Sequence, residues 1–478
     1  MTSKIRYLAP AVSAATLWAA FFPGWGWLAW LAPAGLLWAV DGAGLRRGLL
    51  LGALFGVVFF SLELSFVWEL RSLVGGLAAA AWALLVCFGA LYFAAFGGLG
   101  GWRGGPAMWA GAWAGMEALR SLGPLGFTLG SVPGALAGQP FLPAAAWGGP
   151  WLLSLAAAWT AGCLARGVRS RRWLAVSPLG PLALLGLALA HPSLPTTGEL
   201  QVAAVQPGIP QEEKLDPDYV PRHLALYRDL LGTVGREAEL VVLPENAISG
   251  FLAEDPEAML PFTGAARRLQ ATLLVGSGYR EGDEVYNSVL MIGSQGGLGE
   301  VYHMSHLVPF GEYLPGRRFW EAWGMEDLLE EWLPRPFTPG GRPRPLGPYG
   351  VLICFETQFP GLARQLVRQG AQLLVAATND AWFGGARVLE EHFALGALRA
   401  AESGRAFVQA AQTGVTGAWG PRGRLLARGA AQGAQVVTVT VPLVSGLTPY
   451  NRLGDLPVVA AMGLLMVWGA MRTGGPRR

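Results

Sequence analysis

Two residues in the middle of the chain pair a thiol with a carboxylate. Cys354 lies in the run VLICFE, 351–356, and Glu245 follows the strand-like residues 240–243 in LVVLPENAIS. Short apolar runs bounded by Pro, Gly and polar residues read as strands. Cys354 is therefore expected inside a strand, near its end, and Glu245 just past one. Strand ends are where α/β folds present reactive groups. A carboxylate placed there can take a thiol's proton and return it to a leaving group. Taken singly, Cys354 also fits a small buried hydrophobe, and Glu245 fits a carboxylate at a helix N-terminus. Glu312, in VYHMSHLVPFGEYLP (301–315), and Glu356 add carboxylates to the same segments. Ordinary surface or ion-pair use is the alternative for both.

The remaining cysteines, Cys87 and Cys163, fall in apolar runs. No CxxC or Cys/His spacing suggests a metal, and an odd count argues against a disulfide framework. No cofactor is expected. The thiol chemistry thus rests on Cys354.

The segment around these residues, about 199–445, alternates strand and helix signals. Strand-like runs are Leu200–Val205, Leu240–Leu243, Leu273–Val275, Ser288–Ile292, Val351–Phe355, Leu373–Ala376, Phe407–Ala411 and Val436–Val441. Helical patterns are Tyr219–Arg236, Pro256–Gln270, Gly361–Gln369 and Glu390–Ser403. Short buried strands separated by helices predict α/β layering. The run PRPFTPGGRPRPLGPYG, 335–350 with its flanking residue, predicts a loop placed as a flap over the site.

The rest of the chain is different in kind. Only 14% of residues are charged, against about 25% in a typical soluble domain. A net charge of +3 gives no footprint for nucleic acid. Apolar stretches at 8–22, 25–40, 49–68, 76–98, 106–120, 143–165, 173–190 and 455–471 predict eight membrane spans. Basic residues at Lys4/Arg6, Arg46/Arg47, Arg103, Arg166–Arg172 and Arg472–Arg478 then all fall on one side. The positive-inside rule makes that side cytoplasmic and the insert external. The expected organisation is a seven-span membrane domain over 1–195, the insert over 196–447, and an eighth span with its tail over 448–478. Glu63, Glu69 and Arg71, and likewise Glu117 and Arg120, sit near outer span ends. Intramembrane charge is paired or functional; here it is read either as ion pairs or as a polar rim for a lipid headgroup. Trp25, Trp27, Trp30, Trp68, Trp147 and Trp151 read mostly as interfacial residues. A membrane protein holding a thiol and a carboxylate in one insert reads as a membrane enzyme acting on acyl groups.

The set LPENA, the run HLVPFGEYLP, ICFE and ATNDAWFG resembles the carbon–nitrogen hydrolase (nitrilase) superfamily. With eight spans, the HLVPFGEYLP run narrows the resemblance to the apolipoprotein N-acyltransferase family, over nearly the whole chain. The resemblance implies an α-β-β-α sandwich on the outer face of a bacterial inner membrane. It implies a monomer with two bilayer substrates: a phospholipid acyl donor and a diacylated apolipoprotein acceptor. By motif position, Cys354 is the nucleophile that forms a thioester, Glu245 the general base and acid, and Glu312 and Glu356 supporting acids. Trp382 and Phe383 are read as a site wall or acyl contact. Asn379 and Asp380 are read as holding their loop by turn hydrogen bonds.

The chain departs from the family pattern at the catalytic lysine. Its position falls two residues after Tyr302, on Met304, which has neither charge nor N–H donor. Loss of one such donor typically slows catalysis about 100–1,000-fold. Leu215 stands where the family tends to have Trp, and Phe355 where it has Tyr. The only lysines are Lys4 and Lys214, and Lys214 lies far off in sequence, in QEEKLDPDY. Three readings stay open: a disabled enzyme; compensation by His303, His306 or an arginine; or a site turned to lipid or lipoprotein binding. A membrane-tethered amidase using water is a further alternative.

Overall fold

The computed structural model describes residues 2–71, 75–324, 336–384 and 386–473. The insert contains two sheets. The first has strands β1 (Thr196–Gln206), β2 (Leu240–Val242), β3 (Thr272–Glu281), β4 (Glu284–Ile292), β5 (Leu298–His303) and β11 (Gln435–Val444), in the order β11-β1-β2-β3-β4-β5. The second has β6 (Tyr349–Ile353), β7 (Leu373–Thr378), β8 (Ala406–Ala411), β9 (Gly417–Trp419) and β10 (Leu425–Arg428), in the order β10-β9-β8-β7-β6. β1–β2–β3 and β6–β7–β8 run parallel, which places their C-terminal ends, and the turns after them, on common edges.

Side-chain alternation builds the layers. Val202, Ala204, Leu240 and Val242 point between the sheets, with Val351, Ile353, Val375 and Val408 facing them. The intervening Ala203, Val205, Val241 and Leu243 pack outward on Tyr227, Leu231, Phe262 and Leu269 of helices Val220–Thr233 and Pro256–Leu269. This two-residue period is what a strand buried on both faces requires. β5, β9 and β10 were not among the expected strands. They are short, and β10 is largely exposed, so they carry little apolar signal.

The outer face of the second sheet is covered by helices Pro360–Arg368 and Ala386–Ser403. Their apolar side chains, including Ala363, Leu366, Phe393 and Ala397, belong to the same buried cluster as Phe55, Phe59, Trp113 and Leu153 of the N-terminal helices. Polar links cross the same junction. Arg387 pairs with Glu63 at 3.1 Å, and Thr128 donates two hydrogen bonds to Gln358, from its N–H to Oε1 and from its hydroxyl to the main-chain O. Gly130 N–H donates to Glu391 at 2.8 Å.

Helices or helical turns occupy all eight apolar stretches. Among the described residues, three helices are long and apolar enough to cross a membrane: Leu45–Glu63, Leu77–Trp102 and Arg172–Leu189. Helix Ala145–Gly167 is interrupted at Gly148 and Gly149. The basic loops gather at one end of the helices. Arg166 and Arg169 both pair with Asp41, Arg166 donates to Gly104 O, and Arg103 donates to Ala470 O. Glu63 pairs with Arg387 of the insert. Glu117 accepts from Trp113, Val132 and Ser154, while Arg120 donates to Leu129 and Ser131. Trp25, Trp27 and Trp68 are exposed, but Trp30 and Trp151 are buried in helix packing.

Candidate active site

Glu245 is positioned by a close approach of two backbones. β2 ends at Val242, and Ala247 N–H reaches across to Gly276 O on β3 at 2.8 Å. A Cβ at residue 276 would overlap Pro244 O and Glu245 Cα, so glycine lets β3 run against this turn. Asn246 follows with φ +47, a left-handed conformation that Asn tolerates.

Cys354 is not within a strand. β6 ends at Ile353, and Cys354 opens a 3-10 turn, Cys354–Gln358, with φ +45. Left-handed backbone on a non-glycine residue costs about 1–2 kcal/mol, and here tertiary bonds hold it. The Glu356 carboxylate folds back to accept from Ile353 N–H at 2.9 Å. It also accepts from Ser305 N–H, His306 N–H and the Tyr302 hydroxyl. From the other side His392 Nε2 lies 3.1 Å from Cys354 O, and its Nδ1 lies 2.7 Å from Asp380 Oδ1. Both partners are acceptors, which favours a proton on each nitrogen of the ring. Its pKa is raised accordingly: the Asp380 charge and the two hydrogen bonds outweigh the desolvation that opposes them.

The two ends meet. The Cys354 thiol lies beside the Glu245 carboxylate, close enough for each to act on the other's ionisation. Glu245 Oε1 accepts from Asn287 Nδ2 at 2.7 Å, and Oε2 accepts from Asn379 N–H at 2.9 Å. Asn287 Nδ2 also donates to Glu312 Oε1 at 2.7 Å and lies 3.6 Å from Met304 Sδ. Val308 N–H donates to the other Glu312 oxygen at 2.7 Å. Burial pushes the Cys354 thiol well up, helped by the charges of Glu245 and Asp380, against donors at Thr378 and Asn379. Burial likewise raises Glu245, Glu312 to about 8 and Glu356 to about 7. A thiol that burial keeps protonated thus lies beside a carboxylate of increased basicity, an arrangement suited to general-base activation of a nucleophile.

Glu245, Cys354, Glu312, Glu356, Met304 and Asn379 are brought together. His303 and His306 are not aimed at the thiol. His303 Nδ1 bonds Ser288 Oγ at 2.8 Å and its ring stacks on Tyr286, because it alternates with the inward Tyr302 on β5. The His306 ring packs on Phe359 and Phe355. Asn379 Oδ1 accepts from Ala381 N–H, an Asx turn that holds the NDAWFG loop. Phe383 meets Phe66 edge-on at 5.0 Å, and Trp382 is part-exposed. Leu215 ends the short helix Gln211–Leu215, and its side chain lies outside the described residues. Residue 335 of the expected flap also lies outside them. From 336 onward that loop is tied down behind the site: Phe337 N–H bonds Glu312 O, Thr338 N–H bonds Val285 O and Gly340 N–H bonds Met304 O.

Sequence reasoning missed Asn287, His392 and Lys214. Asn287 had a signal, being a polar residue on the inward alternation of a strand between Val285 and Val289. Lys214 is 3% exposed, and its Nζ donates to Glu245 O at 3.1 Å. Among the described residues no group of three or more His, Cys, Asp or Glu is arranged to hold a metal ion.

Residues 201–446 match the carbon–nitrogen hydrolase family model, so the insert is a domain of that class. Residues 13–163 match the apolipoprotein N-acyltransferase N-terminal domain. An apolipoprotein N-acyltransferase from Nitrosomonas europaea is 31% identical over 458 residues, 90% of this chain and 89% of that one. One from Caulobacter vibrioides is 31% identical over 491 residues, 92% of this chain and 89% of that one. The chain belongs to the apolipoprotein N-acyltransferase family and is an acyltransferase. A solved amidase from a Nesterenkonia species aligns at 18% identity with a TM-score of 0.40, over 56% of this chain and 97% of that one.

Proposed function

We propose that this protein moves an acyl chain from a phospholipid to the N-terminal diacylglyceryl-cysteine amine of apolipoproteins, through a thioester on Cys354. The observation that carries this reading is the Cys354 thiol lying beside the Glu245 carboxylate, whose two oxygens are held by Asn287 Nδ2 and Asn379 N–H. The loops flanking the pair touch the N-terminal domain: Phe383 meets Phe66 of the 3-10 turn Ser65–Leu70, and the Tyr313 hydroxyl donates to Pro124 O at 2.9 Å. A bilayer substrate can approach along such a wall, whereas a small soluble amide needs none.

In the first step, the Cys354 sulfur attacks the ester carbonyl while Glu245 takes the thiol proton. The C–O bond breaks, and Glu245 returns the proton to the lysophospholipid oxygen. In the second step, the neutral amine of the acceptor attacks the thioester. The C–S bond breaks, and the amine's proton passes through Glu245 to the sulfur. Asn287 and Asn379 hold the carboxylate in place for both transfers. Glu312 supports the site through the same Asn287 amide, and Glu356 supports it through the Cys354 turn.

The expected topology has eight spans, with the domain boundaries at about 195 and 447. The basic loops gathered around Asp41 lie cytoplasmic, and the insert lies on the outer face of the inner membrane, as positive-inside bias predicts.

The test is intact-protein mass spectrometry after reconstitution with phosphatidylethanolamine. An added acyl mass is expected in the native chain and not in Cys354→Ser. An equal adduct in Cys354→Ser would reject the thioester.

A further inference from the structure

We propose that Lys214 is the cation of the Cys354–Glu245 site, facing the thiolate and the developing oxyanion in the role that Met304 cannot fill. The inference rests on the acyl-transfer reading for its chemistry, and on geometry for its choice of residue.

Lys214 is buried, yet it has no carboxylate partner within ion-pair distance among the described residues. Its one described side-chain hydrogen bond goes to a main-chain carbonyl, that of Glu245 itself. An ammonium has three donors, which leaves two for a substrate. Burying a lysine without a counter-ion is costly, and a purely structural clamp could be made with a neutral donor. The helix that carries it is fastened at both sides of the site. Ser249 Oγ, beyond Glu245, donates to Lys214 O, and Asn379 Nδ2 donates to Gln211 Oε1 at 3.1 Å. Both anchor loops are the ones that hold the reacting carboxylate.

Elimination points the same way. The other buried cations of the insert are engaged elsewhere: Arg387 with Glu63 and Glu391, Arg399 with Glu402, and Arg405 with Ala371 O and Gly446 O. The His392 ring is spent on Asp380 and the Cys354 carbonyl. His303 and His306 face other partners.

Charge supports the geometry. Desolvation lowers Lys214 to about 8, and the Glu245 and Cys354 charges pull it back up. Burial lowers the pKa of His223, and the Lys214 charge adds to that against Glu213. The Asp380 charge acts on Glu245, and the Glu245 charge on Glu312. At neutral pH the ammonium form is populated, and it is lost as pH rises through about 8.

The experiment uses the full-length protein in phosphatidylethanolamine nanodiscs and two readouts. The first is the rate of acyl-enzyme formation. Lys214→Met is expected to slow it about 100–1,000-fold, and adding Met304→Lys to that variant to restore most of the loss. In the native chain the rate should turn down above a pH of about 8, and Lys214→Arg should remove that descending limb. The second is alkylation of Cys354 against pH, read by peptide mass spectrometry. Lys214→Met should lower its rate at neutral pH about tenfold or more, a shift of one pKa unit or more. An unchanged alkylation profile overturns the inference, as does loss of acylation that Met304→Lys leaves unrescued with the thermal midpoint lowered. An alkylation profile that depends on Lys214 in a chain that forms no acyl adduct would uphold the charge assignment and reject the acyl-transfer reading instead.

Discussion

Glu245 and Glu312 accept hydrogen bonds from one amide nitrogen, Asn287 Nδ2, each at 2.7 Å. A single side chain thus sets the spacing of two buried carboxylates, and both rise in pKa when it is lost. Asn287→Ala is expected to slow acyl-enzyme formation about 100-fold, the scale of a small misplacement of a reacting group. Time-resolved intact mass spectrometry checks this. A native rate would mean that Asn379 N–H alone holds Glu245.

Glu312 makes stability depend on pH. Burial, then the Glu245 charge, raise it to about 8, against about 4.3 in an unfolded chain. Between those values the native state holds a proton that the unfolded state has released, so stability falls as pH rises. Glu356, raised to about 7, adds the same sign. Glu312→Gln has no proton to lose. Its thermal midpoint should fall less than that of the native chain between about pH 5 and about pH 8. Parallel curves would show that Glu312 titrates normally.

Tyr302 and Glu356 brace the Cys354 turn from below. The Tyr302 hydroxyl reaches both Glu356 oxygens, at 3.0 and 2.9 Å. Tyr302→Phe removes that donor and leaves a buried carboxylate short of a partner, a loss of about 1–3 kcal/mol. Thermal unfolding should register it as a lower midpoint, with slower Cys354 acylation alongside. An unchanged midpoint would mean that the three backbone N–H donors suffice.

Arg387 and Glu63 join the insert to the N-terminal helices at 3.1 Å, with Glu63 wholly buried. Removing one partner of a buried pair typically costs about 3–5 kcal/mol, while apolar replacement of both is often neutral. Arg387→Leu should therefore destabilise strongly, and Arg387→Leu with Glu63→Leu much less. A double-mutant cycle in thermal midpoint measures the difference. Additive losses would dismiss the pair as a stabilising link.

The layering of the insert was legible because its strands are apolar on both faces and bounded by turn residues. The strand through Cys354 was read two residues too far, to Phe355 instead of Ile353. The residues VLICF are uniformly apolar, and nothing local marks the left-handed turn. That turn depends on His392 and Glu356, one of them 38 positions away. Glu245 was legible because it follows a strand. Lys214 was not, because its place beside Glu245 is made by a five-residue helix whose anchors, Ser249 and Asn379, are distant in sequence. Its rarity in an arginine-rich chain was the one available signal. Trp30 and Trp151 were misjudged as interfacial because composition does not say which face of a helix meets its neighbours.

The helix Ala386–Ser403 belongs to two bodies at once, covering the second sheet while sharing a core with the N-terminal helices. The insert therefore has no tether to swing on. Excised at its ends, it would carry away a raw apolar flank and is expected to aggregate rather than act as a soluble hydrolase. Within the intact chain, the position of the Cys354 sulfur relative to the N-terminal helices is set by packing rather than by the reach of a linker.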